Sequence, residues 1–105
     1  MTDRSSERYL SVYSYLELLK TAIDKRQQDY VHDFFSSFDF IALPLTENVG
    51  HRALFYIEAY SLSNGLRAGD AIIAATAAEN NMTLVSSNVN QFKPIKGLKL
   101  KVFKP

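Results

Sequence analysis

The sequence predicts an α/β fold, a three-layer α/β/α arrangement around a mainly parallel sheet. Three observations carry this. Short runs rich in strand formers at 9–12, 40–43 and 82–85 alternate with stretches of helical periodicity. Leu98, Leu100 and Val102 alternate with Lys99 and Lys101, the pattern of a half-exposed edge strand. Residues 66–92, LRAGDAIIAATAAENNMTLVSSNVNQF, join an acid-opened, Ala-rich helix to a strand that ends in a polar loop.

The elements follow in order. Tyr9 to Val12 reads as a strand. Ser14 and Glu17 have the spacing of a capping box, which starts a helix running to about Lys25 with Leu16, Leu19 and Ile23 on one face. A second helix covers Asp29 to Ser37, with Tyr30, Phe34 and Phe38 at helical spacing. Phe40 to Leu43 is a strand stopped by Pro44. Thr46 caps a long helix over about 47–63 that buries Val49, Leu54, Ile57, Tyr60 and Ser61, and Asn64-Gly65 supplies its left-handed stop. Asp70 to Glu79 is the next helix, with alanines on every side, which calls for close packing on more than one face. Asn80-Asn81 ends it, Met82 to Val85 is a strand, and 92–97 is a turn-rich connection.

Composition bounds the function. A chain of 105 residues with 47% hydrophobic and 22% charged residues fits one globular domain, 1–105. A formal net charge of +1 does not announce a nucleic-acid or membrane partner by bulk electrostatics. The absence of cysteine excludes disulfides and thiolate metal sites. No apolar run approaches the roughly 20 residues of a membrane span, and MTDRSSER lacks the core of a signal peptide. A cytoplasmic protein without a membrane partner is expected.

Three polar residues stand where a strand end and a helix start meet: Glu17, Asp70 and Asn88. Two carboxylates and an amide oxygen make a hard oxygen site, suited to Mg2+ or Mn2+. Each residue also has a purely structural role open to it. Glu17 can complete a capping box, Asp70 can complement a helix dipole, and Asn88 can serve a turn. His32 and His51 have no spacing that suggests a ligand set and are read as surface or boundary residues.

SVYSYLELL at 11–19 resembles the S-x-x-[ST]-x-x-E-L segment of PIN domains, especially the VapC-like toxins. GLRAGDAIIAATAAENNMTLVSSNVNQF at 65–92 resembles their D-A-x-I-A-A-T-A helix with the strand and loop after it, and FKPIKGL at 92–98 echoes the family ending. The resemblance implies a metal-dependent endoribonuclease, usually the toxin of a toxin–antitoxin pair, using Mg2+ or Mn2+ held by clustered acids. It assigns the metal and catalytic roles to Glu17, Asp70 and Asn88, and places Ser86 near the site. Thr76 and Ala77 match packing positions. Arg67, near Asp70, is a better single candidate for meeting an RNA phosphate than the C-terminal lysines, or else pairs with an acidic neighbour. Lys93, Lys96, Lys99, Lys101 and Lys104 either contact phosphates or keep an edge strand soluble.

The sequence departs from the family at its start. PIN domains open with a hydrophobic strand ending in an aspartate, and this strand lies mid-sheet in the order 3-2-1-4-5. MTDRSSER has no such character, and Asp3 is not given the role. The chain therefore reads as N-terminally truncated relative to the family, or as an incomplete reading frame. Activity of the chain alone is expected to be weak or absent. Strands 9–12 and 82–85 are expected to pair directly, or a partner chain to fill the slot. Leu54, Phe55, Tyr56, Tyr60 and Leu62 exceed what one helix face can bury, which suggests a homodimer or antitoxin surface. The alternative to an enzyme is a degenerate module that binds an antitoxin or another PIN chain.

Overall fold

The computed structural model describes residues 2–4, 7–86 and 89–102, with residues 2–4, 7 and 8 described by their backbone. The elements run β1 (Thr2–Arg4), β2 (Glu7–Ser11), α1 (Val12–Thr21), α2 (Lys25–Ser37), β3 (Phe40–Leu43), α3 (Glu47–Asn64), α4 (Ala68–Glu79), β4 (Thr83–Ser86), α5 (Val89–Phe92) and β5 (Leu100–Val102). The sheet order is β3-β2-β1-β4-β5. β2 pairs parallel with β3, and β4 with β5. β1 is antiparallel to both β2 and β4, so the other four strands all point one way. The expected mainly parallel α/β sheet is thus present.

The centre of that sheet corrects the sequence reading. β2 and β4 neither pair with each other nor await a second chain. Residues 2–4, polar and without strand character in the sequence, occupy the slot between them. Thr2 stands opposite both Tyr9 and Leu84, and Asp3 opposite both Arg8 and Thr83. Both neighbouring edges need hydrogen-bond partners, and any residue with a free N–H and C=O supplies them.

Helix ends follow local chemistry. α3 begins where the Thr46 hydroxyl accepts from the Val49 amide at 3.1 Å, and ends on Gly65 at φ +70°. Asn81, at φ +53°, turns the chain after α4. The start of α1 differs from expectation. Ser11 is the cap, its hydroxyl accepting from the Tyr13 amide at 3.1 Å, so Ser14 and Glu17 lie inside the helix. α1 stops at Thr21. α2 starts earlier than expected because the Asp24 carboxylate accepts from the Gln27 amide at 2.9 Å.

The core gathers on α4, which packs against α1, α3, β2 and β4. Ala71, Ala74, Ala75 and Ala77 are buried there, with Val49, Ala53 and Tyr56 from α3, Leu84 from β4, and Phe92 and Ile95. Alanines let α3 approach α4 closely, as the all-round small residues predicted. Arg52 ties the two helices by donating to Glu79 and to the Tyr56 hydroxyl. These bonds, Tyr56 first, raise the guanidinium pKa above its ordinary value. A raised cation pKa contributes stability across neutral pH and loses it only in strong alkali.

Several expected faces are rearranged. Leu16 and Ile23 of the first predicted stripe are exposed, as are Tyr30, Phe34 and Phe38, and the buried aromatic of α2 is Phe35. Leu54 is exposed rather than buried, and Tyr56, read as a surface residue, is in the core. Among the described residues no helix is long and apolar enough to cross a membrane. Leu84, 1% exposed, and Leu62, fully exposed, give a direct test of where the core lies. Leu84→Ala is expected to lower unfolding free energy by about 3 kcal/mol. Leu62→Ala should change it by less than about 0.5 kcal/mol, both read from urea denaturation.

Candidate functional site

Two strands that flank the sheet centre end at the same level. Tyr9 and Leu84 both stand opposite Thr2 of β1, and Ser11 and Ser86 each lie two residues further along parallel strands. This carboxyl edge is where open α/β sheets build ligand sites. Asp3 pairs with Thr83, the first residue of β4, at the end opposite Ser86. Its backbone position is therefore not at the carboxyl edge.

Helices α1 and α4 meet above that edge. The buried hydroxyls of Ser11 and Thr76 lie 3.4 Å apart and share a hydrogen bond. The Thr76 hydroxyl also bonds its own helix at the Ile72 carbonyl, at 2.7 Å. Glu17 lies six residues beyond Ser11, and Asp70 lies six residues before Thr76. At about 1.5 Å per helical residue, each is about 9 Å along its helix from the shared contact. A second contact joins the same stretches. The tip of the Tyr13 ring, one turn before Glu17, presses on Gly69, the residue before Asp70.

The surroundings of the two acids are now definable. Glu17 is exposed, and among the described residues its carboxylate has no hydrogen bond or ion pair. The capping role open to it in the sequence is removed, because Ser11 caps α1. Asp70 is half-buried in the first turn of α4, and its Oδ2 accepts from the Arg67 amide at 3.4 Å. Its place in the first turn also suits the helix dipole, and Oδ1 has no hydrogen-bond partner among the described residues. Arg67 is the exposed N-cap of α4, and its guanidinium makes no ion pair among the described residues. Ser86 ends β4. Asn88 and Lys104 lie outside the described residues. Lys93, Lys96, Lys99 and Lys101 are exposed, and Lys99 donates to the Asn81 side chain at 2.9 Å.

Among the described residues no three His, Asp or Glu side chains are grouped to hold a metal ion. Two carboxylates nonetheless suit Mg2+, which keeps several waters and is commonly bound through one or two carboxylates plus substrate phosphate. His32 and His51 are exposed, as expected. His32 meets the Tyr15 hydroxyl at 2.5 Å and His51 lies 3.4 Å from Glu47, both away from Glu17 and Asp70 in the contacts they make. Sequence reasoning passed over Ser11 and Tyr13. The available signal was Gly69, a helix-disfavouring residue placed directly before the acid.

The PIN domain family profile matches residues 2–97, and the chain belongs to that family. Three solved structures share the fold. VapBC2 from Rickettsia felis, bound to a DNA fragment from its promoter, superposes at TM-score 0.71 with 23% identity, covering 90% of this chain and 73% of that one. FitAcB from Neisseria gonorrhoeae gives 0.64 and 21%, covering 88% and 72%. VapBC-5 from Mycobacterium tuberculosis, of the VapBC family of toxin–antitoxin systems, gives 0.61 and 16%, covering 90% and 79%. No curated protein matches the chain.

The Ser11–Thr76 contact sets how α1 lies on α4. Thr76→Val removes one partner of a buried hydroxyl pair and is expected to lower stability by about 1 kcal/mol in urea denaturation. Thr76→Ser, which keeps the hydroxyl, should retain the α1 amide protection that the valine variant loses in hydrogen exchange.

Proposed function

We propose that this chain is a metal-dependent endoribonuclease of the VapC toxin type, with a weakened site. One observation carries the reading. Glu17 is free of any capping duty and stands on the stretch of α1 that Tyr13 ties to the Gly69–Asp70 turn. Membership of the PIN family and the toxin–antitoxin systems among its structural neighbours support it.

Glu17 and Asp70 would hold Mg2+ or Mn2+, with Asn88 as a third oxygen donor. The bound ion supplies water activation and neutralises charge on the phosphodiester. The chain's own residues bind and orient. Arg67, without an ion pair among the described residues, meets an RNA phosphate from the start of α4, and Ser86 at the end of β4 lies beside the same RNA strand. No residue of this chain is assigned the family's opening aspartate, so the set has one carboxylate fewer than the family pattern. Metal affinity and water placement suffer accordingly, and cleavage by this chain is weak or absent.

The partner is an antitoxin. An apolar groove of about 240 Å3, lined by Leu18, Tyr30, Val31, Phe34 and Phe35 on α1 and α2, offers the kind of surface that takes a partner's apolar helix face. Leu54, Phe55 and Leu62 on α3 are exposed and suit a second copy of the chain. These surfaces also favour a second reading, a non-cutting module that binds an antitoxin or another PIN chain.

A Mn2+ titration decides between the two. The nuclease reading expects binding that weakens by at least about tenfold in both Glu17→Ala and Asp70→Ala. Binding equal to wild type in both variants, with antitoxin binding retained, selects the module. Vigorous Mg2+-dependent RNA cleavage by the 105-residue chain, lost in Asp70→Ala, would overturn the weakened site.

A further inference from the structure

We infer that Tyr13 positions the RNA strand, its phenol hydroxyl donating a hydrogen bond to a phosphate oxygen at the Glu17–Asp70 site. The inference rests on the nuclease reading above and adds a substrate contact to it.

Gly69 is the first observation. It is the single glycine of α4, in a helix that uses Ala at 68, 71, 74, 75, 77 and 78. Glycine is a poorer helix former than alanine, by up to about 1 kcal/mol in a helix interior and less in the first turn, where Gly69 lies. No left-handed backbone demands it, since the positive-φ glycines are Gly65 and Gly97. Space does. A Cβ at 69 would meet the Tyr13 phenol oxygen at 2.7 Å, Cε2 at 2.9 Å and Cζ at 3.1 Å. The missing methyl is the room in which the ring tip sits.

The hydroxyl itself is the second. Tyr13 is half-buried, and among the described residues its phenol has no hydrogen-bond partner. A phenol drawn partly out of water and left unpaired loses free energy that an acceptor would restore. Hydrophobic packing would be served as well by Phe. The neighbours define the acceptor. Asp70 follows Gly69 and Glu17 is one turn along α1, so the two acids that would face the metal flank the donor. A phosphodiester presents acceptors only, and the site otherwise offers it a single cation, Arg67, among the residues proposed here. Tyr13 adds a neutral donor that does not compete with the metal for the carboxylates.

The test uses the full chain and a fluorescently labelled single-stranded oligoribonucleotide, with Ca2+ in place of Mg2+ so that binding is read by anisotropy without turnover. Tyr13→Phe keeps the ring and removes the oxygen. It is expected to weaken RNA binding about 10- to 100-fold, the worth of one hydrogen bond to a charged group. Its urea midpoint should match wild type, and its Mn2+ affinity should stay within about twofold. Gly69→Ala, which drives the ring tip away, should weaken RNA binding similarly, and combining it with Tyr13→Phe should cost little more. RNA binding unchanged in Tyr13→Phe overturns the inference and leaves the nuclease reading standing. Loss of Mn2+ affinity alongside RNA would instead make Tyr13 a prop for Asp70 and also overturns it. Absence of RNA binding by the wild-type chain removes both the inference and the nuclease reading.

Discussion

A single buried hydroxyl contact organises this molecule. Ser11 and Thr76 meet at 3.4 Å, at 3% and 0% exposure. Neither is left wanting. Thr76 is satisfied by its own helix at Ile72, and Ser11 accepts the first free amide of α1. Buried polar atoms are tolerated only on such terms. The contact therefore fixes where α1 departs from the sheet and which turn of α4 it crosses. Glu17 and Asp70 each lie six residues from it along their helices.

That dependence explains the division between what the sequence discloses and what it does not. α3 was legible at both ends because Thr46 and Asn64-Gly65 act within a few residues of themselves. The turn at Asn81 and the strand at 40–43 were legible for the same reason. The start of α1 was not. Ser11 and Ser14 both make good caps, and the Glu17 spacing favours Ser14. The end of β2 settles the matter, and where a strand ends depends on its neighbours. Residues 2–4 carry no apolar alternation, because their place is set by the hydrogen-bonding needs of β2 and β4.

The candidate site was legible mainly as a resemblance. Spacing offered each of Glu17 and Asp70 a structural duty as well as a chemical one. The fold removes the duty from Glu17 and retains a modest one for Asp70. The link between them, a tyrosine tip filling the space of an absent methyl, leaves no periodic trace in the chain. Burial of the aromatic faces was likewise hard to foresee. α1 and α2 leave Leu18, Tyr30 and Phe34 only partly covered, so helical spacing marks a face without naming what lies against it.

The central strand has a further consequence for how the molecule breathes. Among the described residues β1 meets β4 through two residue pairs, against four between β2 and β3. The sheet is two parallel ribbons stitched by an antiparallel seam. Openings of the native state should begin at that seam, with α4 spanning the breach and keeping the ribbons in register while it lasts.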